Sequence, residues 1–182
     1  MLTFSIPFGP LFLLWVAVLG MCIFALSGGV IAVDHRAVAA CFVNRRAVTV
    51  VAWFLIVIAL LFGLLWLSED VPALLAGVRP QSVSDLALPT NPVHILDLAF
   101  FLPAVIGTGV MLLRQRPFAY TVAPGFIVFL ILTGLPILIT PAVQTVRGET
   151  TGWGVVGSLG IITLALLGLL VWLISTIHAK QR

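Results

Sequence analysis

The sequence predicts an all-α integral membrane bundle of five transmembrane helices. Of its 182 residues, 62% are hydrophobic and only 8% are charged. Its mean hydropathy is +1.26, and the charges occur in short clusters between long uncharged stretches. A soluble domain carries roughly 25% charged residues and keeps too much surface in water to hide so much apolar side chain. The bilayer is therefore the solvent that this composition fits.

Four of the five helices follow directly from stretches without charge. A helix needs ~20 residues to cross the hydrocarbon core. Four stretches of the chain exceed that length and contain no Asp, Glu, Lys or Arg. The helices predicted within them span about 9–32, 47–67, 121–142 and 153–176.

The remaining helix, the third in chain order, reaches spanning length only by taking in ionisable residues. The uncharged stretch before Arg114 starts at residue 98, which is too short to cross. Extending it to about 92–113 brings Asp97 and His94 into the helix. Pro92 suits the first helical position because its missing N–H is harmless there, and Asn91 is the predicted N-cap.

The basic residues predict how this single transmembrane domain, 1–182, is oriented. Seven of the nine fall on one side of a five-helix arrangement: Arg36, Arg45, Arg46, Arg114, Arg116, Lys180 and Arg182. The positive-inside rule makes that side cytoplasmic, with the N-terminus outside and the C-terminus inside. Residues 68–91 then form an extracytoplasmic loop, in which VPALLAGV is a candidate interfacial helix. The alternative is that a further helix precedes this chain.

The candidate site is the start of the third helix, where His94 and Asp97 share one face. One interpretation is a functional ionisable pair, suited to a proton relay or a metal ligand. The other is structural: the helix dipole stabilises Asp97, and His94 bonds to Asp97 and to the 68–91 loop. Glu69 and Asp70 are weaker candidates at the end of the second helix. They either complete a site of three carboxylates and one imidazole or simply end a span in water.

Small residues in the fifth helix predict close helix packing. They are Gly154, Gly157, Ser158 and Gly160. Small side chains let backbones approach in lipid, where hydrophobicity does not hold helices together. The contact is either within the bundle or belongs to an oligomer interface or a cofactor groove.

The chain contains no established catalytic or cofactor motif. Patterns such as G-x-S-x-G, H-E-x-x-H, the P-loop and the Rossmann glycines are missing from it. Cys22 and Cys41 show no metal-ligand spacing. We therefore predict no cofactor and no resident metal. The basic residues lie in short loops between apolar segments, which argues against nucleic acid as a partner. The expected partners are membrane lipids and either another membrane protein or a second copy.

The stretch NPVHILD, followed by a helix and then LLRQRP, resembles a pattern in uncharacterised bacterial multi-pass membrane proteins. The resemblance covers about 30 residues around His94 and Asp97. It implies a bacterial plasma membrane and brings no activity with it.

Three functions are compatible with these observations. The first is a non-catalytic accessory bundle that binds a partner protein or lipid, which the scarcity of polar residues within the spans favours. The second is a component of a proton-linked transporter or channel that uses His94 and Asp97. The third is a membrane enzyme with an outer-facing metal site built from the same two residues with Glu69 and Asp70, a donor set suited to a hard cation.

Overall fold

The computed structural model describes residues 9–85, 90–146 and 153–177, and it is helical throughout these ranges apart from short connections. Five of the described helical segments are long and apolar enough to cross a membrane: Phe12–Ala32, Arg45–Ala76, Pro92–Leu113, Pro117–Pro136 and Gly157–Ser175. The structure thus confirms the predicted all-helical class and the five apolar helices of membrane-spanning length.

The first three helices are α1 (Phe12–Ala32), α2 (His35–Cys41) and α3 (Arg45–Ala76). Two polar side chains set where the second and third begin. Asp34 Oδ1 accepts the Arg36 N–H at 2.9 Å and thereby caps α2. Asn44 Oδ1 accepts the Arg46 and Ala47 amides at 3.0 and 3.2 Å and caps α3. Such caps satisfy amides that have no partner inside a helix.

Helix α3 is longer at its C-terminal end than the sequence analysis expects. It continues past residue 67 to Ala76 and includes Pro72. It ends in a glycine cap: Gly77 has a φ of +65°, and Val78 N–H bonds to Ala73 O at 3.0 Å, as in a Schellman motif. The VPALLA stretch is therefore the last part of α3 rather than a separate interfacial helix. Glu69 and Asp70 end the apolar stretch, but the helix continues past them to Ala76.

The third membrane-length segment begins where the sequence predicts. Two short helices, α4 (Gln81–Asp85) and α5 (Pro92–Leu96), precede a π-helical segment (Asp97–Phe101) and α6 (Leu102–Leu113). Asn91 Oδ1 accepts the Val93 N–H at 3.0 Å, which confirms the predicted N-cap.

The wide turn at Asp97–Phe101 has a cause in the sequence. In a regular helix the Pro103 ring would clash with the carbonyl of Ala99, and Pro103 has no N–H to donate. In the structure the Leu102 N–H reaches back to Asp97 O. The helix is therefore widened just before the proline, at the turn that carries Asp97.

Helices α7 (Pro117–Val146) and α8 (Trp153–Ser175) complete the described chain. The chain divides into two compact units. Unit 1 comprises Met1–Val33 and Leu55–Gly107, and unit 2 comprises Asp34–Phe54 and Thr108–Arg182. Many large apolar side chains in both units are exposed, as expected of helices that face lipid.

In unit 2 the close glycine contact between helices lies at a position that the sequence analysis did not select. A methyl group added at Gly134 would lie 2.8 Å from Thr163 Oγ1. At Gly160 the nearest atom would be Leu138 Cδ2 at 3.7 Å, an ordinary contact, and at Gly157 no described atom would lie within 4 Å. Ser158 is exposed in α8. The surroundings of Gly154 lie outside the described part.

Candidate functional site

A polar network in unit 1 joins the end of α3 to the start of the third membrane-length segment. Helix α3 contributes Trp66, Glu69 and Asp70, which are spaced at i, i+3 and i+4 and therefore share one helical face. The facing residues are His94 in α5 and Asp97 at the start of the π-helical segment. The fold thus brings together all four ionisable residues that the sequence analysis singles out.

His94 is the centre of this network and is only 5% exposed. Its Nδ1 lies 2.9 Å from Asp70 Oδ1 and 3.1 Å from Oδ2. Because an ionised carboxylate only accepts, Nδ1–H is the donor and the neutral ring keeps its lone pair on Nε2. That Nε2 lies 4.0 Å from Glu69 Oε2. The imidazole is also stacked on Trp66, with ring centroids 4.5 Å apart and planes 28° apart.

The carboxylate bonded to His94 is Asp70 rather than Asp97. Among the described residues no hydrogen bond joins His94 to Asp97. Their connection runs through Trp66, which stacks on the imidazole and donates its indole N–H to Asp97 Oδ2 at 3.1 Å. Asp97 is thus held by a side-chain donor of α3.

Asp97 is 8% exposed. Within the described part of the chain its Oδ1 is buried without a hydrogen-bond partner. A buried carboxylate oxygen with no donor is costly, and a role in proton or ion binding is one explanation for such a group. The π-helical turn that begins at Asp97 is a second feature common at functional sites.

The exposed end of the network is fixed by the short connection after α3. Glu69 Oε1 accepts the Ser82 N–H at 2.9 Å, and Asn91 Nδ2 donates to Ser82 Oγ at 3.2 Å. The side chains of Glu69 and Asp70 are 33% and 31% exposed. Polar contacts therefore lead from two partly exposed carboxylates to the buried His94, and the stacked Trp66 links His94 to the buried Asp97.

Sequence reasoning did not identify Trp66 as part of the site. Tryptophans near the ends of membrane-spanning helices are common at membrane interfaces, so Trp66 does not stand out in the sequence. The available signal was the spacing Trp66, Glu69, Asp70, which places an indole donor and two carboxylates on one face. Ser82 gave no such signal, because its role comes from a backbone N–H.

No group of three or more His, Cys, Asp or Glu residues within the described ranges is arranged to hold a metal ion. The third functional hypothesis, an enzyme with a metal site here, therefore receives no support from the geometry of the network.

Comparisons of the chain with models of protein families, with curated proteins and with solved structures found no match.

Proposed function

We propose that this chain is a multi-pass protein of a bacterial plasma membrane and that the network around His94 is its proton-binding site, as in a component of a proton-linked transporter or channel. The observation that supports the proposal is the burial of two ionisable side chains, His94 and Asp97, in a segment of membrane-spanning length. Ionisable groups in such segments are costly and commonly mark ion or proton pathways.

The geometry gives each residue a role in proton binding. In neutral His94, Nδ1–H is bonded to Asp70 and Nε2 is the free base. A proton taken up on Nε2 creates an imidazolium between Asp70 and Glu69, whose carboxylates offset the new charge. Glu69 and Asp70 are the partly exposed groups of the network. Glu69 faces Nε2 and is therefore the entry point in this proposal.

Asp97 is the other buried ionisable group of the network, and the proposal assigns it no transfer step. Its Oδ1 is buried without a partner in the described part, and Trp66 separates it from His94. The indole N–H of Trp66 does not ionise and therefore does not pass a proton between them. In the proposal the proton moves from Glu69, whose Oε2 lies 4.0 Å from Nε2, to His94, while Asp70 keeps its hydrogen bond with Nδ1–H.

The orientation proposed for the protein places this entry point outside the cell. It rests on the positive-inside rule and the seven basic residues of the other side. The proposed location in a bacterial plasma membrane rests on the resemblance, described above, of the NPVHILD and LLRQRP stretches to a pattern in bacterial multi-pass membrane proteins.

A pH jump across proteoliposomes on a solid-supported membrane tests the proposal. Binding of a proton within the membrane displaces charge. The measurement therefore does not require that a transported substrate be known. We expect an acid jump to give a transient in the wild type that falls to the level of protein-free liposomes in His94→Gln. The control is His35→Gln, which removes a histidine of unit 2. An unchanged transient in His94→Gln contradicts the proposal.

A second candidate function, an accessory bundle that binds a partner, is favoured by α1. This helix of 21 residues has no buried residue, and an added methyl group at Gly28 or Gly29 would meet no described atom within 4 Å. A helix with small residues and no buried residue has an exposed face that suits contact with another membrane helix. Purification in mild detergent tests this function: a stoichiometric partner or a dimer supports it, and a bare monomer contradicts it.

A further inference from the structure

Unit 2 carries an exposed group of basic side chains that the proposed function does not use. We call it the arginine cluster, and its members are Arg36, Arg45, Arg46, Arg114 and Arg116. Among the described residues none of them forms an ion pair with a carboxylate. The acidic residue beside them in sequence, Asp34, is engaged in capping α2. The cluster therefore presents positive charge that the described protein does not neutralise.

Contacts around α7 bring the segments of the cluster together. The Phe42 ring lies 5.5 Å from that of Tyr120, and the Phe42 backbone pairs with Ile177 at the end of α8. Arg45 follows Phe42 by three residues. Arg116 precedes Tyr120 by four residues, a rise of about 6 Å along a helix. The start of α3, the start of α7 and the end of α8 thus meet at one end of unit 2.

Helix α2 lies on the same end. His35 Nδ1 is 2.9 Å from Thr121 Oγ1, and the His35 ring meets the edge of Phe118 at 5.3 Å between centroids. These contacts hold α2 against the first turns of α7 and place Arg36 beside the other arginines. Arg114 is positioned by the turn at Gln115, whose φ of +55° ends α6 sharply before α7 begins.

The surface next to the arginine cluster is apolar. Val48 and Leu112, one turn or less from Arg45 and Arg114, line a crevice together with Phe42, Tyr120 and Leu173. Exposed arginines therefore occur within about one turn, along the chain, of residues that line an apolar crevice. Basic residues next to an apolar surface match the phosphate and acyl regions of a phospholipid leaflet.

We propose that the arginine cluster binds the headgroups of anionic phospholipids in the surrounding leaflet. A guanidinium forms paired hydrogen bonds with phosphate oxygens, which suits arginine to this role. Groups of four to eight basic residues next to a membrane span are typical of sites for anionic lipids. The net negative charge of the lipid supplies a counter-charge that the described residues of unit 2 do not provide. This inference does not depend on the proton site, which lies in unit 1.

The test compares thermal unfolding of the purified full-length chain in neutral detergent with three additions. These are phosphatidylglycerol, phosphatidylcholine at the same mole fraction, and inorganic phosphate. We expect phosphatidylglycerol to raise the Tm of the wild type more than either other addition. The variant R45Q/R46Q/R114Q/R116Q should lose this difference, and the control Arg79→Gln, a single exposed arginine of unit 1, should keep it.

Four results overturn the proposal. They are an equal effect of phosphatidylcholine, an equal effect of inorganic phosphate, retention of the full effect in the fourfold variant, and loss of the effect in Arg79→Gln. Equal stabilisation by phosphate would assign the cluster to free anions. The absence of any effect of phosphatidylglycerol would also overturn the proposal and would make an acidic protein the partner to examine.

Removing four charges that set topology can disturb insertion, so a second measurement uses the unmodified protein. At 1 M salt the Debye length falls to about 3 Å, and the phosphatidylglycerol effect should disappear if it is electrostatic. The variant R45K/R46K/R114K/R116K keeps the positive charge but lacks the planar guanidinium groups. It should insert normally and retain less of the effect than wild type at low salt. Persistence of the wild-type effect at 1 M salt, or full retention in the Lys variant, contradicts headgroup recognition by arginine.

Discussion

At the scale of residues, the network depends on Trp66 as much as on the ionisable groups. One indole fixes the Asp97 carboxylate through its N–H and supports the His94 imidazole through its face. The sequence identifies His94, Asp97, Glu69 and Asp70, because ionisable residues next to apolar runs stand out. It does not identify the carboxylate that bonds to His94. That choice depends on how the end of α3 faces the start of α5, which spacing within one helix does not determine.

The first prediction concerns the indole donor. Trp66→Phe keeps an aromatic ring against His94 but removes the N–H that Asp97 Oδ2 accepts. Leaving a buried polar group unsatisfied costs about 1–3 kcal/mol, so we expect the free energy of unfolding in SDS to fall by that amount. Trp172→Phe, at a more exposed tryptophan, is the control. The loss should shrink in an Asp97→Asn background, and equal losses in the two single variants would show that the bond contributes nothing.

The second prediction concerns the tautomer of His94. Since the Asp70 carboxylate accepts from Nδ1, the neutral ring should carry its proton on Nδ1. Imidazole ¹⁵N chemical shifts in detergent micelles report this directly. Asp70→Asn should move the population toward the Nε2–H form, and Asp97→Asn should leave it unchanged. The reverse result would make Asp97 the partner of His94 in solution.

At the scale of elements, the position of charged residues does not determine where a helix ends. The sequence places the start of the third membrane-length segment correctly, because Asn91 and Pro92 form a local start signal that depends on nothing else in the fold. It ends α3 too early, because Glu69 and Asp70 suggest the edge of a span. The stop signal is Gly77, which lies beyond them. The glycine contact at Gly134 is not predicted either, since it depends on which face of α7 meets Thr163.

The third prediction concerns the end of α3. Gly77 adopts a φ of +65° with open space around it, so a side chain there meets a conformational cost and no clash. Gly77→Ala should lower the free energy of unfolding by about 1–2 kcal/mol, the cost of a left-handed residue with a Cβ. Gly20→Ala, in the middle of α1 with equally open surroundings, should be neutral or slightly stabilising. No loss in Gly77→Ala would mean that the cap does not persist in detergent.

The fourth prediction concerns the contact between α7 and α8. Thr163 Oγ1 is held by a hydrogen bond to Leu159 O at 2.8 Å, so it does not yield easily to a methyl group at Gly134. Gly134→Ala should cost about 1–3 kcal/mol through overpacking, measured as the free energy of unfolding in SDS. Gly157→Ala is the matched control and should cost nothing within the chain. A cost at Gly157 alone would point to an interface with another molecule.

At the scale of the whole molecule, the two ends of α3 carry opposite charge. Arg45 and Arg46 occupy its first turn, and Glu69 and Asp70 lie near its other end. In unit 2 the same basic end adjoins the start of α7 and the end of α8 through Phe42. These contacts bring the start of α3, the start of α7 and the end of α8 to one end of unit 2, and the cytoplasmic placement of the basic loops stays a prediction. The sequence supplies that prediction because the positive-inside rule depends only on the distribution of Lys and Arg.

The last prediction tests this topology with two matched positions. Val43, in the connection before α3, and Val78, in the connection after it, are 65% and 61% exposed. In a background with Cys22 and Cys41 replaced, Val78→Cys should react with a membrane-impermeant thiol reagent in intact cells. Val43→Cys should react only after permeabilisation, because the positive-inside rule predicts that the arginines beside it lie in the cytoplasm. Since the two sites share residue type and exposure, a difference in labelling reports sidedness rather than reactivity. Strong labelling of Val43→Cys in intact cells would reverse the topology and place the His94 network on the cytoplasmic side.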